Sequence, residues 1–224
     1  GLEDFIQRLF TEIAPRYDLF NRLASCGLDQ SWRREAIRRG RVAAGQRILD
    51  VCAGTGDLAL LCARVQHGQG TVIGLDMNKE MLARAVVKQQ RGQEALAWCQ
   101  AEAEQLPFPD ETFDRVTIGF STRNLSDLSQ GLREMVRVLQ PQGRLIILET
   151  GYPRHPLMRF GYQAFLSTVA RYMSPGANVF LNIPVTIDTL RIALGATLQI
   201  TSPQANNLNV VRSGGLANAG GIFV

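Results

Sequence analysis

The sequence lacks the features that mark secreted and membrane-spanning proteins. No stretch approaches the roughly 18 consecutive apolar residues of a membrane-spanning helix, and residues 1–4 resemble neither the charged nor the apolar region of a signal peptide. The only cysteines are Cys26, Cys52, Cys62 and Cys99, and no two form a Cys-x-x-Cys pair. We therefore expect reduced thiols and a soluble, cytoplasmic protein, with peripheral contact to the inner face of a membrane as an option.

Histidine, a frequent metal ligand and general base, is scarce. His67 lies in a polar, glycine-rich stretch, and His155 follows the fifth predicted strand. Neither lies near a cysteine at the spacing of a metal site. The sequence therefore predicts no metal and offers no well-placed histidine base.

The chain also carries only a small excess of positive over negative charge. The chain has 24 Lys and Arg against 20 Asp and Glu, which gives a formal net charge of +4. The basic residues are spread along the chain, and this spread argues against a nucleic-acid partner. A solvated surface and a surface suited to an anionic membrane leaflet both remain open.

What the sequence does contain is enough apolar residues, 46%, to build a full core. The first 40 residues favour helices, with Pro15 as an interruption and residues 31–39 as a charged helix. We predict a helical cap over residues 1–45. One apolar face of this cap comprises Phe5, Ile6, Leu9, Phe10 and Ile13.

From Gln46 onward, short apolar runs alternate with helical segments, which is typical of a doubly wound α/β fold with a mostly parallel sheet. Helices are expected near 57–66, 78–91, 126–140 and 187–194. The predicted domain covers residues 46–224 and a seven-stranded sheet. Its strands are expected at Arg47–Cys52, Thr71–Asp76, Ala97–Glu102, Phe113–Phe120 and Arg144–Thr150, with weaker candidates at Leu198–Thr201 and Gly221–Val224.

The strongest motif is a glycine turn, residues 50–57, between the first strand and a helix. Gly54 and Gly56 permit a tight turn and close approach of a ligand. The string Gly54-x-Gly56-x-x-Ala59 also fits the loose dinucleotide fingerprint, so the turn alone is compatible with a nicotinamide cofactor or S-adenosylmethionine.

The neighbouring residues favour S-adenosylmethionine. Asp50 precedes the turn, where a carboxylate suits an ammonium better than a pyrophosphate. Asp76 ends the second strand, where it can accept hydrogen bonds from ribose hydroxyls. The segment Glu102–Asp114 offers polar and apolar contacts to an adenine ring. Separately, each feature also fits a plain structural role, but their order at successive strand ends predicts a nucleoside cofactor.

These residues resemble the C-methyltransferases of ubiquinone and menaquinone biosynthesis, within the class I methyltransferases with their Rossmann-like fold. The resemblance covers about residues 10–160. It is carried by Ile13–Asn21, Gly27–Arg34, the glycine turn, Gly74–Leu82, Leu106–Asp110 and Arg123–Asp127.

The resemblance implies that Thr55, Asp76, Glu102, Ala103 and Gly119 contact S-adenosylmethionine. We add Asp50, Gly54, Gly56 and Met77 from the same loops. Glu102 replaces the usual Asp or Asn of the family, and Gly119 replaces a common Ser. After residue 170, the family's Tyr-x-Tyr-Leu-x-x-Ser-Ile element has no clear counterpart.

The implied reaction is C-methylation of a prenylated quinol, demethylmenaquinol or a related benzoquinol, with S-adenosylhomocysteine as product. The candidate catalytic residues are Arg123, Asn124, Asp127 and Tyr17. Arg123 would stabilise a quinolate oxygen, and Asp127 would orient it or relay a proton. A structural ion pair for Arg123, a helix N-terminal charge for Asp127 and packing under the cap for Tyr17 remain open.

Three other functions stay in view: methylation of a different small molecule, a nicotinamide oxidoreductase, and a non-catalytic scaffold of a quinone-biosynthesis complex. The expected partner is a lipid-like quinol. No nucleic acid is expected, and a homodimer is left open.

Overall fold

A computed structural model describes residues 11, 14–25, 27–92, 95–149 and 197–201. A 3-10 turn, Ala14–Arg16, leads into the cap helices. The helices are α1 (Tyr17–Ala24), α2 (Asp29–Arg39), α3 (Asp57–Gln66), α4 (Lys79–Gly92) and α5 (Leu128–Arg137). The strands are β1 (Arg47–Val51), β2 (Thr71–Asp76), β3 (Ala97–Gln100), β4 (Phe113–Gly119), β5 (Leu139–Leu148) and β6 (Thr197–Thr201).

The strands form one sheet in the order β3-β2-β1-β4-β5-β6, and every described pair is parallel. The chain moves outward from β1 to β3 and then returns to place β4 on the other side of β1. The carboxyl ends of β1 and β4 therefore flank a topological switch point, where ligands of open α/β sheets bind.

Helices cover both faces of the sheet. On one face, Leu132 and Met135 of α5 belong to the core that includes Val116. On the other face, Leu58 and Cys62 of α3 belong to the core that includes Ile48. This double cover explains why the central strands are near-continuous apolar runs.

The second cap helix is packed onto the sheet. Ala36 and Ile37 of α2 are 0% and 4% exposed, and Ala36 belongs to a small core with Ile146 and Leu148 of β5. This packing fixes the position of α2 relative to the ends of the strands.

The predicted fold class is confirmed, and the predicted elements shift mainly at their ends. The helix expected over 126–140 stops at Arg137, and β5 begins at Leu139. β5 begins five residues before the predicted Arg144 because Leu139 pairs with Phe113 of β4. The register then shifts, so that Arg115 pairs with Arg144. The pairing partner, not the local periodicity, decides this boundary.

After residue 149, the structure describes one strand, β6. It pairs with β5 and agrees with the predicted strand at 198–201. The candidate strand at 221–224, the helix at 187–194 and the apolar cap face at 5–13 lie outside the described residues. Within the described part of the chain, no helix is long and apolar enough to cross a membrane.

Candidate cofactor site

A cavity of about 340 Å³ opens at the switch point of the sheet. It is bounded by the glycine turn after β1, the ends of β2, β3 and β4, and cap helix α1. Among the predicted site residues, those that line it are Tyr17, Asp50, Gly54, Thr55, Asp76, Met77, Glu102, Ala103, Gly119, Asn124 and Asp127. Gly56 and Arg123 are not among the residues that line it.

Asp76, at the end of β2, fixes the conformation of the glycine turn through hydrogen bonds. The backbone N–H of Gly54 donates to Oδ2 of Asp76 at 2.7 Å, and that of Asn78 donates to Oδ1 at 2.8 Å. Burial raises the pKa of Asp76, although these backbone donors partly oppose the shift. Asp76 thus shapes the turn, and each of its oxygens still has acceptor capacity towards the cavity.

Gly56 has a packing role in addition to the tight turn that was predicted for it. Its φ is +84°, and a Cβ at this position would lie 2.5 Å from Cη2 of Trp98 and 3.0 Å from Cβ of Ala85. The glycine is required because β3 and α4 pack closely behind the turn. Its predicted contact with the cofactor stays a prediction.

Asp50 presents an unsatisfied oxygen. Its side chain is 1% exposed, and Oδ1 accepts a 2.6 Å hydrogen bond from the hydroxyl of Thr117. Oδ2 has no hydrogen-bond partner among the described residues. Burial raises the pKa of Asp50 to about 7, and the hydrogen bond from Thr117 offsets this only in part. A cationic ligand group in the cavity would satisfy this oxygen, so the site fits an amino-acid ammonium.

An ionic network joins the cap to the glycine turn. The hydroxyl of Thr55 donates to Oδ1 of Asp18 at 2.6 Å, and Nζ of Lys88 donates to Thr55 Oγ1 at 2.9 Å. The same Lys88 ammonium lies 2.6 Å from Asp18 and 2.7 Å from Asp57. Burial alone would raise the pKa of Asp57, but the charges of Lys88 and Arg33 outweigh it and lower that pKa.

Tyr17 closes the cavity from the cap side. A Cβ built on Gly54 would lie 4.0 Å from Cε1 of Tyr17, so the ring stands directly over the turn. Burial raises the pKa of its hydroxyl, a shift that a hydrogen bond with Asn21 partly opposes. The hydroxyl therefore stays protonated near neutral pH and can donate a hydrogen bond.

The two departures from the family pattern lie on opposite walls. Glu102 is exposed at the rim beyond β3, where its longer side chain has room to adjust. A Cβ at Gly119 would lie 3.3 Å from Cδ2 of Leu58, so the common serine would require only a small shift of that leucine. Neither departure closes the cavity.

The turn after β4 carries the candidate catalytic residues. Asn124 ends a 3-10 turn that begins at Thr122 and lines the cavity. Asp127 also lines it, and its Oδ1 accepts a 2.9 Å hydrogen bond from the Gln130 amide as the N-cap of α5. The guanidinium of Arg123 lies 2.7 Å from Glu149. The structural roles left open for Arg123 and Asp127 are therefore both present.

Sequence reasoning missed three charged residues at this site: Arg33, Lys88 and Glu149. Their side chains contact groups that are distant in the sequence, and although Arg33 lies in the Gly27–Arg34 motif, nothing in the sequence shows that its side chain reaches the cavity. Cys52 is half-buried beside the main core at a φ of +53°. Across the described residues, no cluster of three or more His, Cys, Asp or Glu is arranged to hold a metal ion.

The strand order, the glycine turn and the carboxylate at the end of β2 define a Rossmann-like α/β protein with a nucleoside-cofactor site at the switch point of its sheet. One solved structure with the same fold is a SAM-dependent methyltransferase from Aquifex aeolicus. It has a TM-score of 0.51 and 21% identity, and the match covers 61% of this chain and 78% of that one.

The family is shown by sequence. The model of the ubiE/COQ5 methyltransferase family matches residues 2–175, and the chain belongs to this family. A demethylmenaquinone methyltransferase from Lactobacillus johnsonii is 40% identical over 79% of this chain and 74% of its own length. A ubiquinone/menaquinone biosynthesis C-methyltransferase from Geobacter sulfurreducens is 45% identical over 73% of this chain and 65% of its own length. These matches confirm the predicted resemblance.

Proposed function

We propose that this chain transfers a methyl group from S-adenosylmethionine to a ring carbon of a prenylated quinol, demethylmenaquinol or a related benzoquinol. The names of its relatives support the substrate class. The observation that carries the proposal is the unsatisfied Oδ2 of Asp50, which shares one cavity with Asp76 and Asn124. An acceptor for an ammonium, one for a ribose and a polar group for a quinol oxygen thus surround a single space.

The cofactor supplies an electrophilic methyl group on a sulfonium. Asp50 would hold its ammonium, Asp76 its ribose hydroxyls, and Glu102 with Ala103 its adenine. The methyl group already carries its leaving group, so the protein mainly aligns the two reactants and manages charge.

The acceptor carbon becomes nucleophilic when a neighbouring hydroxyl loses its proton, and after methyl transfer this carbon releases its own hydrogen as a proton, which restores the aromatic quinol. Asp127 can take this proton through the carboxylate oxygen that does not cap α5. Asn124 can donate a hydrogen bond to the quinolate oxygen, and the ion pair of the adjacent Arg123 with Glu149 holds the turn that carries Asn124. Tyr17 excludes water from above the glycine turn.

A lipid-like quinol resides in a membrane, and the outer face of α1 supports peripheral contact with one. Leu19 and Leu23 are 53% and 44% exposed, and Arg22 adjoins them on the same short helix. Exposed leucines with a basic neighbour are typical of helices that bind at an anionic bilayer interface. Because Tyr17 and Asp18 lie on the inner side of α1, this contact would place the cavity next to the membrane surface.

The proposal is tested with purified protein, S-adenosylmethionine and a reduced short-chain demethylmenaquinone, with methylated product measured by mass spectrometry. We expect product from the wild type and Glu111→Gln, an exposed control, and a loss of at least tenfold for Asp76→Asn. Stabilisation by a nicotinamide dinucleotide but not by S-adenosylmethionine would contradict the proposal.

A further inference from the structure

The side chains that line the cavity carry a strongly unequal charge. Among the described lining residues, Arg33 is the only cation. The carboxylates in the lining belong to Asp50, Asp57, Asp76, Glu102, Glu104 and Asp127. An acidic cavity suits a ligand with a sulfonium and an ammonium, but the same ligand also carries one carboxylate, which such a cavity would repel.

Arg33 is fixed in place by three contacts. Its residue is 6% exposed, and Nη1 donates to Oδ2 of Asp29 at 2.6 Å. Nη2 lies 3.8 Å from Oδ2 of Asp57, and the guanidinium carbon lies 5.1 Å from the ring centre of Phe120. The guanidinium thus lies between the start of α3 and the end of β4, at the same switch point as Asp50.

The guanidinium retains donors for a ligand. The 3.8 Å separation from Asp57 is an ion pair and is too long for a hydrogen bond. Among the described residues, only the Nη1 contact with Asp29 occupies a donor of Arg33. An arginine has further N–H groups in its plane, and this plane matches a carboxylate.

We propose that Arg33 is the subsite for the carboxylate of the cofactor's amino-acid group, opposite Asp50 as the subsite for its ammonium. The proposal rests on the proposed use of S-adenosylmethionine. The cation of Arg33 can pair with the carboxylate of an α-amino acid, and the unsatisfied oxygen of Asp50 in the same cavity can pair with its ammonium. Because Arg33 belongs to α2, binding would also link the cap to the sheet through the ligand.

The test compares two ligands by calorimetry: S-adenosylhomocysteine and its decarboxylated analogue, which lacks only the carboxylate. The wild type should bind the decarboxylated ligand roughly ten- to hundredfold more weakly, as expected for a charge-assisted hydrogen bond. Arg33→Gln should bind both ligands with similar affinity. Arg34→Gln, an exposed change on the same helix, should retain the wild-type preference.

The ligand comparison keeps the inference falsifiable even if Arg33→Gln fails to fold, since it needs only the wild type. Equal binding of the two ligands by the wild type would overturn the role of Arg33 while leaving the proposed function intact. An equal loss of affinity for both ligands in Arg33→Gln would assign the residue a structural role instead. Failure of the wild type to bind S-adenosylhomocysteine at all would count against the proposed function.

Discussion

Oε1 of Glu149, just after β5, accepts a 2.7 Å hydrogen bond from Nη1 of Arg123, in the 3-10 turn that follows the neighbouring strand β4. The other oxygen of Glu149 accepts a 2.6 Å hydrogen bond from the hydroxyl of Thr122. One largely buried carboxylate thus holds two consecutive residues of the turn that carries Asn124. Glu149 is a positioning residue for this turn.

Replacing this carboxylate should affect turnover more than cofactor binding. Glu149→Gln keeps an acceptor for Thr122 but loses the ion pair, so we expect kcat to fall about tenfold while the KM for S-adenosylmethionine changes little. Glu149→Asp should recover part of the rate because it restores the charge. Steady-state kinetics check this, and equal losses in kcat and cofactor affinity would contradict a positioning role.

Cofactor affinity should depend on pH through Asp50. The pKa of this carboxyl is about 7, so it is mostly protonated at pH 6 and mostly ionised at pH 8. Only the ionised form attracts an ammonium, and affinity for S-adenosylhomocysteine should therefore rise by up to about tenfold over this range. Calorimetry at several pH values measures the change. Asp50→Asn should bind more weakly with a flat pH profile, and a steep profile in this variant would contradict the assignment.

The same carboxyl should influence stability with the opposite trend. A folded-state pKa above the unfolded value of 3.8 means that the folded protein holds more protons between about pH 4 and pH 7. The free energy of unfolding therefore loses a contribution from Asp50 as pH rises through this window. Urea unfolding should show a smaller decrease over this window for Asp50→Asn than for the wild type; identical slopes would be inconsistent with the raised pKa.

The network around Lys88 should make cofactor binding sensitive to salt. Lys88→Met removes the charge that joins Asp18 of the cap to Asp57 and Thr55, so we expect several-fold weaker binding of S-adenosylhomocysteine. The wild type should lose affinity between low and high salt, since these groups are partly exposed, and the variant should lose less. Lys79→Met, an exposed change on the same helix, is the matched control. If both variants bind alike, the network does not support the site.

Gly56 should tolerate no side chain because of its packing. Gly56→Ala would force a Cβ to within 2.5 Å of Trp98 at a positive φ, and we expect a loss of about 2–4 kcal/mol in the free energy of unfolding. Gly68→Ala is the control, because its φ is +74° but no atom of the described residues lies within 4 Å of the added Cβ. It should cost only about 1 kcal/mol. Urea unfolding of both variants separates the cost of the clash from that of the backbone.

Membrane contact through α1 predicts co-sedimentation with vesicles that contain phosphatidylglycerol. Leu19→Glu combined with Leu23→Glu should reduce the bound fraction strongly, since each buried leucine contributes about 1.5–3 kcal/mol. Val87→Glu is the control, because Val87 is 46% exposed on α4, on a different element. An equal reduction in both variants would show that added negative charge, and not the α1 face, governs the binding.

Much of the fold followed from local patterns. The predicted strand at 71–76 and the predicted helix at 57–66 have the observed bounds, because the apolar pattern of a strand or a helix depends on a short stretch of sequence. The end of α5 was misplaced by three residues because the start of β5 depends on its partner, Phe113, and not on its own sequence.

Some residues of the candidate site could likewise be predicted from the sequence, and others could not. Asp50 and Asp76 could be predicted because a carboxylate at the end of a buried strand is visible in the sequence and parallel strands bring their carboxyl ends together. The packing role of Gly56 could not, because it depends on the ring of Trp98, which is contributed by β3.

The sequence by itself determined the class of fold, the glycine turn and the strand-end carboxylates, since each depends on neighbours only a few residues away. The tertiary structure alone decided which charges meet. Arg123 and Glu149 are 26 residues apart, Thr55 and Lys88 are 33 apart, and Arg33 reaches the cavity from a cap helix. Such pairs form because the sheet topology brings separate segments together, and no local pattern encodes that distance.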